Sequence, residues 1–160
     1  MAIRYFARAN RMSRTVSAFA EFHATTRGTA SQTVKSLVEL GYLSRVTSKQ
    51  DARSAVINLT RKGQTLRRHD PIEDLKKAVG DLPGNLQENL AKALERIVGE
   101  VALIREQHRF GTCPNCKYLD QNGDVDDGIV VYQCNCFNEV LIASELNQIC
   151  INYHPARRSK

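Results

Sequence analysis

The residues best suited to chemistry are five cysteines, all in the last third of the chain. Cys113 and Cys116 form a C-x-x-C pair, and Cys134, Cys136 and Cys150 follow at wider spacing. A C-x-x-C turn brings two thiolates to one tetrahedral metal ion, and two later cysteines can complete a four-sulfur site. The spacing therefore predicts a metal site with Cys113, Cys116, Cys134 and Cys150 as its ligands.

Two further side chains compete for places in this predicted site. Cys136 can replace Cys134 as the third ligand. A short helix is predicted to begin near Ser144, which would put His154 one helical turn after Cys150 as a competing fourth ligand. Four thiolates hold either a zinc ion or an iron–sulfur cluster, so the residues leave the metal open.

The cysteines also have readings without a bound metal. The odd count excludes a full set of intrachain disulfides, and unligated free thiols are one alternative. A redox pair at Cys113 and Cys116 is disfavoured, because no thioredoxin-like βαβ pattern surrounds it. A tail of this size has little apolar content, so a bound metal would supply folding energy that its core lacks.

Other catalytic patterns are missing from the sequence. There is no Ser/His/acid set, no phosphate-binding loop and no H-E-x-x-H helix, and the chain has only four histidines. We therefore expect that this protein is not an enzyme. A metal or redox enzyme that uses its basic region for docking, and an interaction module held together by a metal, remain the alternatives.

A helix with marked ends is predicted between Thr26 and Gly41. Thr26 can cap free backbone N–H groups, and Gly41 suits a left-handed C-cap. One face carries an apolar stripe at helical spacing, formed by Ala30, Val34, Leu37 and Val38. Thr29, Gln32, Lys35 and Ser36 lie on or beside the opposite face. The residues expected to contact bases or nearby phosphates are Thr29, Ser31, Gln32 and Lys35. Such donors and acceptors suit base edges in the major groove, although a solvated surface helix shows the same pattern.

Two short strands are predicted to follow this helix. Residues 42–47 and 55–59 have strand character, and residues 48–54 form a turn with basic residues. A helix pair followed by such a hairpin is typical of a winged helix, which places its second helix in the major groove and its wing beside the backbone or minor groove. Arg27, Lys49 and Arg53 are the cations expected to contact the backbone or the minor groove.

These segments together resemble the MarR family of bacterial winged-helix regulators. The resemblance spans roughly residues 3–107 and rests on five segments: residues 20–21, 29–37, 41–43, 51–53 and 59–63. It implies a sequence-specific transcriptional regulator, most simply a repressor, that binds double-stranded DNA as a homodimer. It also implies release from DNA by a small-molecule or redox effector.

Three features qualify this resemblance. Many family members carry Asp-Arg-Arg at the wing tip, where this chain has Asp51-Ala52-Arg53 and thus lacks one cation. Family members also usually begin with a longer helix that assists dimerisation, so we expect the dimer to rely on later helices or the true start to lie upstream. The tail is similar to short cysteine-rich appendages on some MarR-like proteins and to small ferredoxin-like subunits.

The net charge of +6 is unevenly distributed along the chain. Residues 1–69 contain 13 Lys or Arg and three Asp or Glu, a net charge of +10, whereas residues 70–112 and 113–160 each carry −2. A basic field attracts a polyanion and makes its binding depend on salt. The excess coincides with the predicted DNA-binding part and therefore favours DNA as the partner.

The middle of the chain is predicted to be helical. Asp70-Pro71 interrupts a helix capped by Thr60, and apolar residues then recur at helical steps from Leu86 to Ile104, in a helix expected to end at Gly111. This stripe exceeds what a small winged helix covers, so we predict a homodimer that presents two recognition helices about 34 Å apart. Packing onto the chain's own core is the alternative.

The expected fold class is α+β, mainly α. Residues 1–69 form a winged-helix DNA-binding domain, residues 70–110 a helical dimerisation region, and residues 111–160 a small cysteine-rich metal-binding module. A short amphipathic helix is predicted over residues 2–12. No apolar run approaches the length of a membrane span and no signal core is present, so a cytoplasmic location without membrane contact is expected.

Overall fold

The computed structural model describes residues 1–47, 55–126 and 129–156. The helices are α1 (Ala2–Arg8), α2 (Val16–Phe22), α3 (Arg27–Glu39), α4 (Arg61–Arg68), α5 (Ile72–Gly80) and α6 (Gly84–Ile104). The strands are β1 (Leu43–Thr47), β2 (Ala55–Leu59), β3 (Leu119–Asp126), β4 (Ile129–Cys134) and β5 (Glu139–Leu141). Short 3₁₀ turns lie at Arg11–Ser13, Cys113–Asn115 and Ala143–Glu145. No described helix has the length and apolar character needed to cross a membrane.

The first helix is shorter than predicted. It ends at Arg8 because Ala9 is extended and Asn10 pairs with the C-terminal segment, so the predicted helix over residues 2–12 is wrong in its second half. Tyr5, which the sequence pattern did not assign to the core, is 2% exposed and donates a hydrogen bond of 2.7 Å from its hydroxyl to the Ser13 carbonyl. The aromatic rings of α1 and α2 meet around it, so these two helices form one aromatic centre.

The helix predicted between Thr26 and Gly41 is confirmed as α3. The Thr26 hydroxyl accepts a hydrogen bond of 3.1 Å from the Thr29 backbone N–H, which marks the N-terminus. Gly41 follows the C-terminus with a φ of +73°, a left-handed conformation in which glycine carries no steric cost. Ala30 and Val34 are buried at 0% and 3% exposure, so the apolar stripe faces the core as expected.

The wing strands β1 and β2 pair antiparallel, with Leu43 opposite Leu59 and Thr47 opposite Ala55. Ile57 in β2 is fully buried and fixes which face of the hairpin meets the core. The turn predicted over residues 48–54 lies outside the described residues.

Helix α4 begins against the base of the wing. Thr60 caps it by accepting a hydrogen bond from the Gly63 N–H at 3.2 Å, as predicted, and its hydroxyl also bonds to the Gly41 carbonyl at 2.6 Å. A side chain at Gly63 has no room, because a Cβ atom there would lie 2.3 Å from the Tyr42 carbonyl oxygen. The start of α4 is therefore in direct contact with the turn that follows α3.

The middle helices are separated where the sequence predicted, but the last one is shorter than expected. Proline separates α4 from α5 at Pro71, and α6 extends over 21 residues. It ends at Ile104 rather than Gly111, because Glu106 adopts a left-handed φ of +51° and the chain turns back onto α2. There the Phe110 ring lies 4.4 Å from the Phe22 ring, measured between centroids.

The C-terminal part forms a small antiparallel sheet in the order β3-β4-β5. Cys134 ends β4, as predicted, opposite Leu119 of β3 and Glu139 of β5. The helix predicted near Ser144 is wrong, since only a three-residue 3₁₀ turn occurs at Ala143–Glu145. Cys150 instead lies in an antiparallel bridge with Gly111, so Cys150 and His154 are not held on one helix.

A Gly63→Ala substitution should lower the free energy of unfolding by about 1–3 kcal/mol, because the new methyl group collides with the Tyr42 carbonyl. Urea unfolding followed by circular dichroism measures this loss. Gly80→Ala is the matched control, since Gly80 is also helical and a Cβ there meets nothing within 4 Å. Its stability should stay unchanged or rise by about 0.5–1 kcal/mol. Equal effects of the two substitutions would contradict this account of the contact between α4 and the turn that follows α3.

Candidate functional site

The residues predicted to contact DNA on α3 share one exposed face. Its members are Arg27, Thr29, Ser31, Gln32 and Lys35, and all five are exposed. The buried side chains of Ala30 and Val34 point the other way and hold the helix against the core. The helix therefore presents hydroxyl, amide and cationic groups away from the protein.

A shallow open groove runs along this exposed face. It is lined by Gly28, Thr29, Gln32, Thr33 and Ser36. Thr33 and Ser36 were not among the predicted contact residues, although their helical spacing from Thr29 and Gln32 was a usable signal. The Thr29 hydroxyl pairs with that of Thr26 at 2.9 Å, and Thr33 donates to the Thr29 carbonyl at 3.0 Å. These bonds use two hydroxyls within the helix, so Gln32 is the long side chain of the groove that can reach outward.

Both cations predicted at the wing, Lys49 and Arg53, lie outside the described residues. Arg45 on β1 is exposed and was not predicted, although its position in a wing strand made it a candidate. Arg14 holds the base of the wing, since its carbonyl accepts from the Ile57 N–H at 2.8 Å and its guanidinium donates to the Asn58 side chain at 2.9 Å.

The cysteines converge on one small cavity. All five line it, together with Asn10, Met12, Thr112, Tyr118, Leu119, Phe137, Leu141 and Asn152. Cys113, Cys134 and Cys150 are buried at 7–8% exposure, whereas Cys136 is exposed. His154 does not line the cavity; its ring lies 5.2 Å from that of Tyr118 and its Nδ1 is 3.2 Å from the Asn152 carbonyl. The structure therefore brings together the four cysteines predicted as ligands, without His154.

Cys113 and Cys150 are free thiols in a setting that favours protonation. Burial raises the pKa of Cys113 to about 11, and the neighbouring cysteines add to the effect. Burial also raises the pKa of Cys150, while hydrogen bonding from Asn10 and Ser13 acts in the opposite direction. A thiol with a raised pKa is a weak nucleophile at neutral pH, so these two cysteines lack the environment of a catalytic thiol.

The side chains do not form a closed coordination shell as they stand. Within residues 1–47, 55–126 and 129–156, no group of three or more His, Cys, Asp or Glu could hold a metal ion in its present arrangement. The ligand set predicted from the sequence thus shares a cavity, and its thiols would have to move inward to bind one ion.

The cysteine-bearing tail is joined to the first helices by shared hydrogen bonds. The Ile149 N–H donates to the Arg8 carbonyl at 2.7 Å, and the Asn10 N–H donates to the Ile149 carbonyl at 2.9 Å. The Ile151 N–H donates to the Ser13 hydroxyl at 3.0 Å. The Ile151 side chain, 7% exposed, belongs to the same core as α1 and α2. The tail thus completes the winged-helix core.

Arg11 adds charged contacts to this junction. Its guanidinium donates to the Glu145 carboxylate at 2.7 Å, to the Val140 carbonyl at 2.6 Å and to the Glu139 carboxylate at 3.2 Å. The Glu145 side chain is only 6% exposed, so Arg11 is the charged partner that makes its burial tolerable.

Comparison with known proteins identifies the N-terminal part of the fold. Residues 1–54 match the MarR family model. The chain is similar to FabT of Streptococcus pneumoniae, solved in complex with DNA, at 22% identity and a TM-score of 0.50, over 64% of this chain and 72% of that chain. No curated protein matches. The predicted winged-helix fold is thus confirmed, and the match to the MarR family model ends before the cysteine tail.

Two other solved structures are similar at slightly lower TM-scores. The transcriptional regulator SlyA is 21% identical with a TM-score of 0.49, over 66% of this chain and 74% of that chain. A MarR/EmrR family regulator from Acinetobacter sp. ADP1 is 24% identical with a TM-score of 0.49, over 64% and 72%.

An Arg11→Met substitution should lower the free energy of unfolding by about 1–3 kcal/mol, because it leaves the buried Glu145 carboxylate without its cation. The Arg11 side chain is 37% exposed, and solvent screening keeps the loss below that of a fully buried pair. Hydrogen exchange should also quicken at the Ile149 and Ile151 amides. Lys92→Met is the control, since it removes only an exposed pair with Glu88 and should change stability by less than about 0.5 kcal/mol. Losses of the same size in both variants would disprove the role of Arg11.

Proposed function

We propose that this protein is a sequence-specific DNA-binding regulator of transcription, most simply a repressor, that acts as a homodimer. The observation that carries the proposal is the exposed polar face of α3, whose opposite face is buried in a winged-helix core. The match of residues 1–54 to the MarR family model supports it. A repressor needs no chemistry of its own, since occupancy of a promoter is sufficient.

Direct readout would come from α3 lying in the major groove. Gln32 can form a bidentate contact with adenine, and Lys35 can reach guanine or a phosphate. Ser31 is exposed on the same helix and can donate to either kind of base. Because the Thr29 hydroxyl is already paired with Thr26, its contact is more suitably a phosphate than a base.

Phosphate contacts would supply most of the affinity. The net charge of +10 over residues 1–69 favours counterion release from DNA. Arg27 opens α3 and is exposed, so it lies where a recognition helix passes the backbone. Lys49 and Arg53 would add contacts from the wing.

The dimer would form through the apolar stripe of α6. Along this helix the stripe is exposed by 36–80%, at Leu86, Leu90, Leu94, Ile97, Val98, Val101 and Ile104. Exposed apolar side chains in one row along a helix mark an association surface. A second copy related by a two-fold axis would cover the stripe and present two α3 helices to successive major grooves.

The cysteine cluster would add a metal as cofactor, either zinc or an iron–sulfur cluster. Supporting this is the convergence of Cys113, Cys116, Cys134 and Cys150 on one cavity. A small molecule, a redox change or metal loss would release DNA by shifting the spacing of the two α3 helices.

A Gln32→Ala substitution should reduce discrimination between a selected operator and its single-base variants by about 1–3 kcal/mol at the position that Gln32 reads. Binding titrations on duplexes selected from a random pool measure it. Arg27→Ala is the matched variant, and it should weaken binding to all duplexes alike and reduce the salt slope by about one. Identical profiles for the two variants would count against readout by α3.

A Leu94→Glu substitution should weaken the dimer at least about 10-fold, because it places a charge in the middle of the apolar stripe. Sedimentation velocity across a concentration series measures the dissociation constant. Lys92→Gln changes a charge on another face of the same helix and should leave the dimer intact. If the wild-type chain sediments as a monomer at all concentrations, the dimer proposal fails.

A further inference from the structure

The cysteine cavity contains a buried hydrogen-bond donor. Asn10 is 1% exposed and lines the cavity. Its Oδ1 accepts a hydrogen bond of 2.9 Å from the Ser13 N–H, which fixes the orientation of the amide. Its Nδ2 is buried and makes no hydrogen bond of good geometry among the described residues, although the amide acts on the Cys150 thiol as a donor that lowers its pKa. A buried donor is best satisfied by a charged acceptor, so a thiolate beside Asn10 would be stabilised more than a thiol.

The size of the cavity limits what it can hold. Its volume is about 10 Å³, close to the room that one water molecule needs. A single metal ion fits such a space after small side-chain rotations. An iron–sulfur cluster, with several iron and sulfide atoms, would need the surrounding strands to separate.

The chemistry of the lining selects the kind of ion. Four of the cysteines enclose the cavity from four separate positions: the turn at Cys113, the residue after that turn at Cys116, the end of β4 at Cys134, and the bridge at Cys150. Cys136 is exposed and is therefore the least suited to complete the set. Thiolates are soft ligands, and a four-sulfur tetrahedral site is typical of zinc.

We propose that this cavity binds one thiophilic divalent cation such as Zn²⁺ through Cys113, Cys116, Cys134 and Cys150, and that Asn10 Nδ2 donates a hydrogen bond to a metal-bound thiolate. The proposal rests on the metal-binding part of the proposed function and narrows it to one ion. The four S–H bonds are replaced by four metal–sulfur bonds, the protons pass to solvent, and no electron is transferred. The thiols close around the ion, which the present arrangement does not yet hold.

Asn10 gives the site a link to the DNA-binding part of the chain. It belongs to the stretch of residues 8–14, which pairs with Ile149 on one side and with Ile57 of the wing on the other. An ion held by thiolates of the tail, one of which accepts a hydrogen bond from Asn10, therefore strengthens the attachment of the tail to α1. Asn10 acts as a positioning residue, because it orients a ligand and does not bind the ion.

Cobalt titration of the reduced full-length protein under anaerobic conditions tests this proposal. One Co²⁺ per chain should bind with the absorption of tetrahedral thiolate coordination and be displaced by Zn²⁺. Cys150→Ser should lose that spectrum, whereas Cys136→Ser should keep both the spectrum and the affinity. Asn10→Ser keeps an oxygen that can cap the turn at Arg11 but loses the amide donor, and it should weaken Co²⁺ binding about 10- to 100-fold.

Several results would overturn the proposal. These are a brown protein with several irons per chain, more than one Co²⁺ per chain, wild-type protein without thiolate absorption, or loss of the spectrum in Cys136→Ser as complete as in Cys150→Ser. Unchanged Co²⁺ affinity in a folded Asn10→Ser variant would remove Asn10 from the site. The wild-type spectrum and stoichiometry decide the ligand class even where a variant fails to fold.

DNA binding measured on the same samples separates this proposal from the proposed function. A chain that binds one Co²⁺ but shows no preference among duplexes keeps the metal site and loses the regulator. A chain that discriminates among duplexes without binding Co²⁺ keeps the regulator and loses the site.

Discussion

The structure depends on the hydrogen bonds that residues 8–14 share with two distant parts of the chain. Their peptide groups pair with Ile149 from the tail and with Ile57 from the wing, and the Ser13 hydroxyl receives the Ile151 N–H. Asn10, Ser13, Ile57 and Ile151 are buried, so separating either partner would leave buried donors and acceptors without hydrogen bonds. The tail, the first helices and the base of the wing are therefore expected to be stable together, and a change in one is felt by the others.

The orientation of α3 follows from residues that cap the ends of helices. Thr15, Thr26 and Thr60 each cap the helix that follows, and Gly41 ends α3 in a left-handed conformation. Because the caps fix where each helix begins, they also fix which residues face the core and which face outward. This is why the exposed positions of Gln32 and Lys35 could be predicted from the sequence, as could the pairing of β1 with β2.

The tail was less predictable because long-range contacts determine it. Its helix was expected near Ser144 from local pattern, but the Glu145 carboxylate bonds to Arg11, 134 residues away, and the chain there forms only a short turn. The same holds for Asn10, whose role at the cavity depends on the return of Ile149 and Cys150 to α1. Sequence spacing did indicate that Cys113, Cys116, Cys134 and Cys150 lie near one another, and these four line one cavity together with Cys136. The spacing did not indicate that the cavity would be closed by Asn10 and Met12 from the N-terminal part of the chain.

The position of Ile151 bears on what covers α6. The core of the winged helix is closed by this side chain from the tail, so the space beside α1 and α2 is filled without α6. Ala102 is the only described residue of α6 that is buried. The chain returns to the core after α6 has ended, where the Phe110 ring contacts the Phe22 ring. Folding of one copy thus leaves the apolar stripe in water, at a cost of roughly 25 cal/mol for each Å² that remains uncovered. Because the chain's own core is complete, a second α6 from another copy is the surface of matching length and character, and the dimer proposed above would follow from the same packing that docks the tail.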